Sequence, residues 1–201
     1  MDISKISKKW ITIGILVLIG LIVYSSIRGS YNNMVTMEEA VEGQWAQVEN
    51  VYQRRADLIP NLVNVVKGYA AHERETLEGV VEARSKATSL NVDPANLTPE
   101  AVQQFEQAQQ GLSSALSRLM VVVERYPDLK ANQNFLELQT QLEGTENRIT
   151  NERRIFIELT RDYNTSIRRF PKNIYASMFG FERKATFEAR AGSDVPPVVE
   201  F

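Results

Sequence analysis

A membrane-anchored, all-α bundle of long helices is the fold that this sequence predicts, and three observations predict it. Apolar residues recur at steps of three and four along three long tracts, the period of one helix face. Turn formers gather in a few short places, with Gln, Glu, Arg, Val and Leu abundant between them. An uncharged run near the N-terminus has the length of a bilayer crossing. The predicted architecture is a transmembrane helix followed by an antiparallel up-and-down bundle. Four helices are favoured, with a corner near Pro60; three, with a kinked first helix, are the alternative.

The span comes first. Lys9 and Arg28 bracket the run WITIGILVLIGLIVYSSI, with Trp10 and Tyr24 near its ends, where amphipathic rings favour the membrane interfaces. A cleaved signal peptide is the competing reading, but the best cleavage site, Val23-Tyr24-Ser25, is a poor one, so the anchor is expected to be retained. Lys5, Lys8 and Lys9 precede the span and Arg28 alone follows it closely. The positive-inside rule then places residues 1–9 in the cytoplasm, 10–28 in the inner membrane and the remainder outside it. The bundle is assigned to 30–170, and a short helix with an extended apolar tail to 171–201.

A helical tract runs from about Asn33 to Ser89. Thr36 and Glu39 have capping-box spacing, which allows a helix to restart there. Val41, Trp45, Val48, Tyr52, Ile59, Leu62, Val66 and Tyr69 then alternate by fours and threes, with Arg55 in the missing step. Pro60 lies inside this tract. Unbroken phase favours a kink there, whereas the shorter length of the later helices favours a corner.

Leu90–Pro99 is a linker carrying Asn91, Asp93-Pro94 and Asn96. Thr98-Pro99-Glu100 then reads as N-cap, N1 proline and acidic first turn of a helix that buries Val102, Phe105, Leu112, Leu116, Leu119, Val123 and Tyr126. Tyr126-Pro127-Asp128 breaks that helix. Beyond Asn134 a single long helix is predicted as far as Phe170, with Phe135, Leu138, Leu142, Ile149, Phe156, Leu159, Tyr163 and Phe170 on its stripe. So narrow a seam needs partner helices. After Pro171 come Ile174, Tyr175, Met178, Phe179 and Phe181, and the ending VPPVVEF is expected to be extended. This apolar tail either folds back on its own bundle or contributes to contacts between copies of the chain.

Composition narrows the chemistry. A net charge of −2 gives no basic face for a phosphate backbone, so nucleic acid is not an expected partner. Without cysteine there are no disulfides, thiolate zinc sites or cysteine nucleophiles. His72 is the one histidine: a zincin helix beginning at His72-Glu73 would need its second histidine at Thr76, and a bundle di-iron centre would need two. Glu75, Glu78 and Glu82 share a helix face, which reads as a solvated acidic stripe before it reads as a cation site. No catalytic, cofactor-binding or metal-binding residue is assigned, no cofactor is implied, and the chain is not expected to be an enzyme. Polar residues do stand on the seams, at Arg55, Gln109, Thr145 and Glu152. Two readings apply to them: the edges of wider stripes, with the heads reaching water, or a buried polar layer that fixes helix register. At Gly144, close helix approach or a slight bend on one side and simple tolerance on the other are equally open.

Specific motifs add a family. EGQWAQVENVYQRRADLIPNLVNVVKGYAAHE, ERYPDLKANQNFLELQTQLEGTENRITNERR, Asp162-Tyr163-Asn164, RRFPKN, and Gly180-Phe181 followed by Phe187 resemble the bacterial LemA family, over essentially the whole chain from Asn32. The resemblance implies a membrane protein with one N-terminal span and an all-α bundle, generally four-helical, and implies no activity, cofactor or catalytic residue. Members often accompany membrane zinc proteases, so it also implies a link to membrane-protein quality control in the envelope, with such a protease or another envelope protein as partner. The expected function is a homo-oligomeric, membrane-anchored scaffold. A ligand-sensing or adaptor domain of a stress or signalling pathway is the rival.

Overall fold

A computed structural model describes residues 8–187. Six α-helices follow one another: α1 Lys8–Tyr69, α2 Arg74–Ser89, α3 Pro99–Val123, α4 Pro127–Lys130, α5 Gln133–Arg168 and α6 Lys172–Phe179. No strand occurs among the described residues. The all-α class, the bundle and the long apolar N-terminal helix therefore stand as predicted. The extended ending VPPVVEF lies outside the described residues.

The corner near Pro60 does not form. α1 continues through Pro60, and the chain turns instead at Ala70–Glu73, where Glu73 N donates to Ala70 O at 3.0 Å. Proline has no N–H to give the carbonyl four residues back, which here is Ala56. That carbonyl is not orphaned: Arg84 Nε, on α2, donates to Ala56 O at 2.7 Å. A side chain from the next helix supplies the missing donor and the helix goes on. Nor does a helix restart at Thr36, whose hydroxyl bonds back to Asn32 O at 2.9 Å inside α1.

The Thr98-Pro99 start acts as read. Thr98 caps α3, its Oγ1 accepting from Ala101 N at 3.2 Å, with Pro99 opening the helix. The linker before it is partly wound into a 3-10 turn at Pro94–Asn96, capped by Asp93. Asn132 Oδ1 accepts from Phe135 N at 3.0 Å at the start of α5. Gly180, at φ 78°, ends α6 in the left-handed conformation that glycine adopts without strain. A Cβ at Gly144 would meet nothing within 4 Å, so close helix approach does not explain that glycine.

The chain packs as two units. One holds Val41–Arg161 and the segment from Lys184 onward. Within it α1, α2, α3 and α5 alternate in direction. Arg84 on α2 reaches back to Ala56, Gln109 on α3 reaches Ala87, and α5 runs antiparallel to α1, with Glu146 at Arg55 and Glu152 at Gln44. Four helical segments thus form the bundle, as favoured from the sequence, with the corner ten-odd residues later than placed. Ile59, Leu62, Val66, Leu77, Val80, Leu112, Leu119, Leu129, Phe135 and Leu142 make one core. A second, aromatic cluster holds Trp45, Tyr52, Phe105, Phe156 and Phe187. Tyr69, placed on the seam from its spacing, is exposed, because α1 ends there.

The other unit holds the chain up to Ala40 together with Asp162–Arg183. From Lys9 to Ser26 every described side chain of α1 is exposed, although Lys9–Tyr69 includes a window long and apolar enough to cross a membrane. Beyond it Met34 is fully buried. Tyr163 Oη donates to Glu182 O at 2.9 Å and lies 3.3 Å from Glu38 Oε1, and Lys172 Nζ donates to Asn33 Oδ1 at 2.6 Å. The chain here runs antiparallel to α1, toward the span. Phe170 is not a seam residue: it is 81% exposed in the turn after α5.

Candidate functional site

Two of the polar residues that interrupt the seams, Arg55 and Gln109, meet at one place. Arg55, Gln109 and Thr145 are all buried, at 3%, 6% and 2% exposure, so these three do not sit at stripe edges with their heads in water. Arg55 lies at the centre. Its Nη1 donates to Ser113 Oγ at 3.0 Å and to Glu146 Oε2 at 3.1 Å. Its Nη2 donates to Gln109 Oε1 at 2.8 Å and to Gln109 O at 3.3 Å. Gln109 passes the connection on, its Nε2 donating to Ala87 O on α2 at 3.2 Å. A buried cation thus joins four helices, directly or through Gln109. Arg55 Nε is buried without a partner among the described residues. The carboxylate paired with Arg55, that of Glu146, is itself 58% exposed.

Thr145 takes no part in that exchange; its hydroxyl donates to Gln141 O within α5 at 2.7 Å. Glu152 is half-buried and accepts from Gln44 Nε2 at 2.7 Å. Its neighbour Arg153, which the seam pattern does not single out, makes a second bridge. Nη1 donates to Tyr52 Oη at 3.0 Å, Nη2 to Glu106 Oε1 at 2.6 Å, and the guanidinium lies 4.0 Å over the Phe187 ring. Burial opposes its charge, but Tyr52 and Glu106 outweigh burial and hold its pKa above the usual value. Ser113 and Glu146 also escaped the sequence reading. Their only sequence signal is that Gln109 and Ser113 stand one helical turn apart.

These residues floor a groove of about 920 Å³ between α3 and α5. Gln103, Gln107 and Gln110 line the α3 side, and Arg154, Glu158 and Arg161 the α5 side. The chemistry on offer is hydrogen bonding and charge pairing over an open, mixed-sign surface. Close by, the Glu49 carboxyl is pushed above its ordinary pKa of 4.5, chiefly by burial, against weaker pulls from Trp45 and the Val92 backbone. The Trp45 indole N–H, also buried, has no hydrogen-bond partner among the described residues.

Elsewhere two of the three carboxylates of the α2 stripe pair within their own helix: Arg74 with Glu78 at 3.3 Å and Lys86 with Glu82 at 2.8 Å. His72 is exposed in the turn between α1 and α2. Among the described residues no cluster of three or more His, Asp or Glu is placed to hold a metal.

Comparison with known proteins gives the family. The profile of the LemA family matches residues 44–201. Magnetosome protein MamQ 1 of Paramagnetospirillum magneticum is 27% identical over 185 residues, covering 83% of this chain and 67% of that protein. Magnetosome protein MamQ of Magnetospirillum gryphiswaldense matches to the same extent. Protein LemA of Metamycoplasma hominis is 24% identical over 161 residues, 80% of this chain and 70% of that one. With a family profile covering most of its length and the bundle to match, this chain belongs to the LemA family.

Proposed function

We propose that the protein is a single-pass, membrane-anchored scaffold of the bacterial envelope, its bundle on the extracytoplasmic side, and that it acts by assembling with copies of itself. The groove between α3 and α5 carries this reading. Small-molecule sites are mostly enclosed and apolar, with a few converging polar groups. This groove is half open, and glutamines, arginines and glutamates line it beside Val102, Ile149 and Ile157, a broad mixed surface that fits the face of another protein better than a sensed metabolite. Relatives named as magnetosome and LemA proteins carry names that state no reaction. The bias of Lys5, Lys8 and Lys9 over Arg28 supports the orientation. A link to membrane-protein quality control rests on the family resemblance alone. Contacts made by Ala189–Phe201 lie outside the described residues; the segment just before them packs on its own bundle, with Phe187 stacked 5.7 Å from Trp45.

The groove is tested in membranes. A photo-crosslinking residue at Gln107 is expected to give adducts at multiples of the chain's own mass, while the same residue at Glu137, exposed on α5 and outside the groove lining, gives few. Absence of self-adducts at Gln107 would remove the groove from the assembly.

A further inference from the structure

The unit that holds the span also leaves an apolar face bare. Phe170, Ile174 and Met178 are 81%, 49% and 70% exposed, in the turn before α6 and one helical turn apart along it. In a soluble bundle such a cluster would be a liability. Its position relative to the span offers a cover. Phe179 and Phe181 pack edge-on against Tyr31, with ring centroids 5.0 and 5.6 Å apart, and Lys172 bonds Asn33. Tyr31 follows Arg28, the last charged residue of the span, by three positions. At 1.5 Å per residue that is about 4.5 Å along the helix axis. The headgroup layer is itself about 5–8 Å thick on each side of the hydrocarbon. α6 is therefore held at the depth of the lipid headgroups.

The charges agree. On α1 the only ionised residue between Lys9 and Glu38 is Arg28. From Arg168 to Arg183 the bases are Arg168, Arg169, Lys172 and Arg183, against Glu182 alone. An apolar face rimmed by bases is the composition of helices that lie in a membrane interface and prefer anionic lipid.

Resting on the single-span anchor, we infer that α6 and the Phe170 turn form a second membrane contact, seated in the headgroup region of the leaflet from which α1 emerges. The span and α6 together fix this unit on the bilayer at two points, so that it cannot swivel freely about a single helix.

Because the chain has no cysteine, single cysteines at Ile19, Val121, Ile174 and Met178 can each carry the only spin label in the full-length protein. In nanodiscs of phosphatidylcholine with a minority of phosphatidylglycerol, collision with oxygen is compared with collision with a water-soluble nickel chelate. The oxygen-to-nickel ratio at 174 and 178 is expected to be several-fold above that at Val121, which is 69% exposed on α3, and below that at Ile19. Labels at 174 and 178 as aqueous as at 121 would overturn the inference while leaving the anchor, read from Ile19, intact. An aqueous Ile19 would bring down both. Labels at 174 and 178 shielded from both reagents would show protein covering this face, which also overturns the inference. Removing phosphatidylglycerol is expected to lower the ratio at 178 without changing it at Ile19.

Discussion

Trp45→Ala is expected to lower the stability of the bundle by about 3–5 kcal/mol, the usual cost of truncating a fully buried tryptophan. Trp45 is fully buried, with Phe105 and Phe156 each 5.2 Å away and Phe187 at 5.7 Å, so the ring is surrounded by three elements that cannot all close over the space it leaves. For a domain of this size the thermal midpoint falls by roughly 10 °C. Thermal denaturation followed by helical circular dichroism measures it. An unchanged midpoint would mean that the aromatic cluster is not a core at all and that its face is free for a partner.

The second large effect is a coupling. Arg84→Met is expected to destabilise the wild type by about 1–3 kcal/mol, because Ala56 O, already without an intrahelical donor, is left unsatisfied. Pro60→Ala restores an N–H four residues on and is expected to stabilise by about 1–2 kcal/mol, after allowance for the looser unfolded chain. In the Pro60→Ala background the Arg84→Met loss is expected to shrink to a few tenths of a kcal/mol, giving a coupling of about 1–2 kcal/mol. The exposed Arg84–Asp57 pair, at 3.9 Å, is present in both backgrounds and cancels. Denaturant melts of the four proteins measure the cycle. Losses that simply add would show that Pro60 is accommodated by something other than Arg84.

That pair also explains what the sequence could and could not show. The stripe from Val41 to Val66, the Thr98-Pro99 start and the break at Pro127 are local signals, and each acts where it stands. Continuation through Pro60 is not local, since its donor lies 28 residues away from the carbonyl it satisfies. A proline read alone looks like a corner. The buried polar layer was legible only as a pattern of interruptions. Arg55 at a seam position looks the same whether its head reaches water or Gln109, because Gln109, Ser113 and Glu146 come from helices whose register the spacing alone does not set. Arg153 was illegible for a different reason: it lies beside the stripe and becomes central only when Phe187 returns to cover it. Phe170 was in phase with its helix but lies just past the end of α5, so periodicity overran the element that gave it meaning.

Self-assembly from a membrane anchor is the central claim, and the mass of the intact particle tests it most directly. Full-length protein extracted in a mild detergent and measured by light scattering, with the detergent contribution subtracted, is expected to be one defined species of many chains. A charge reversal in the groove wall, Arg154→Glu with Arg161→Glu, is expected to reduce that mass while helical circular dichroism is retained. A wild-type particle of one or two chains would contradict the scaffold and leave the sensing or adaptor domain in its place.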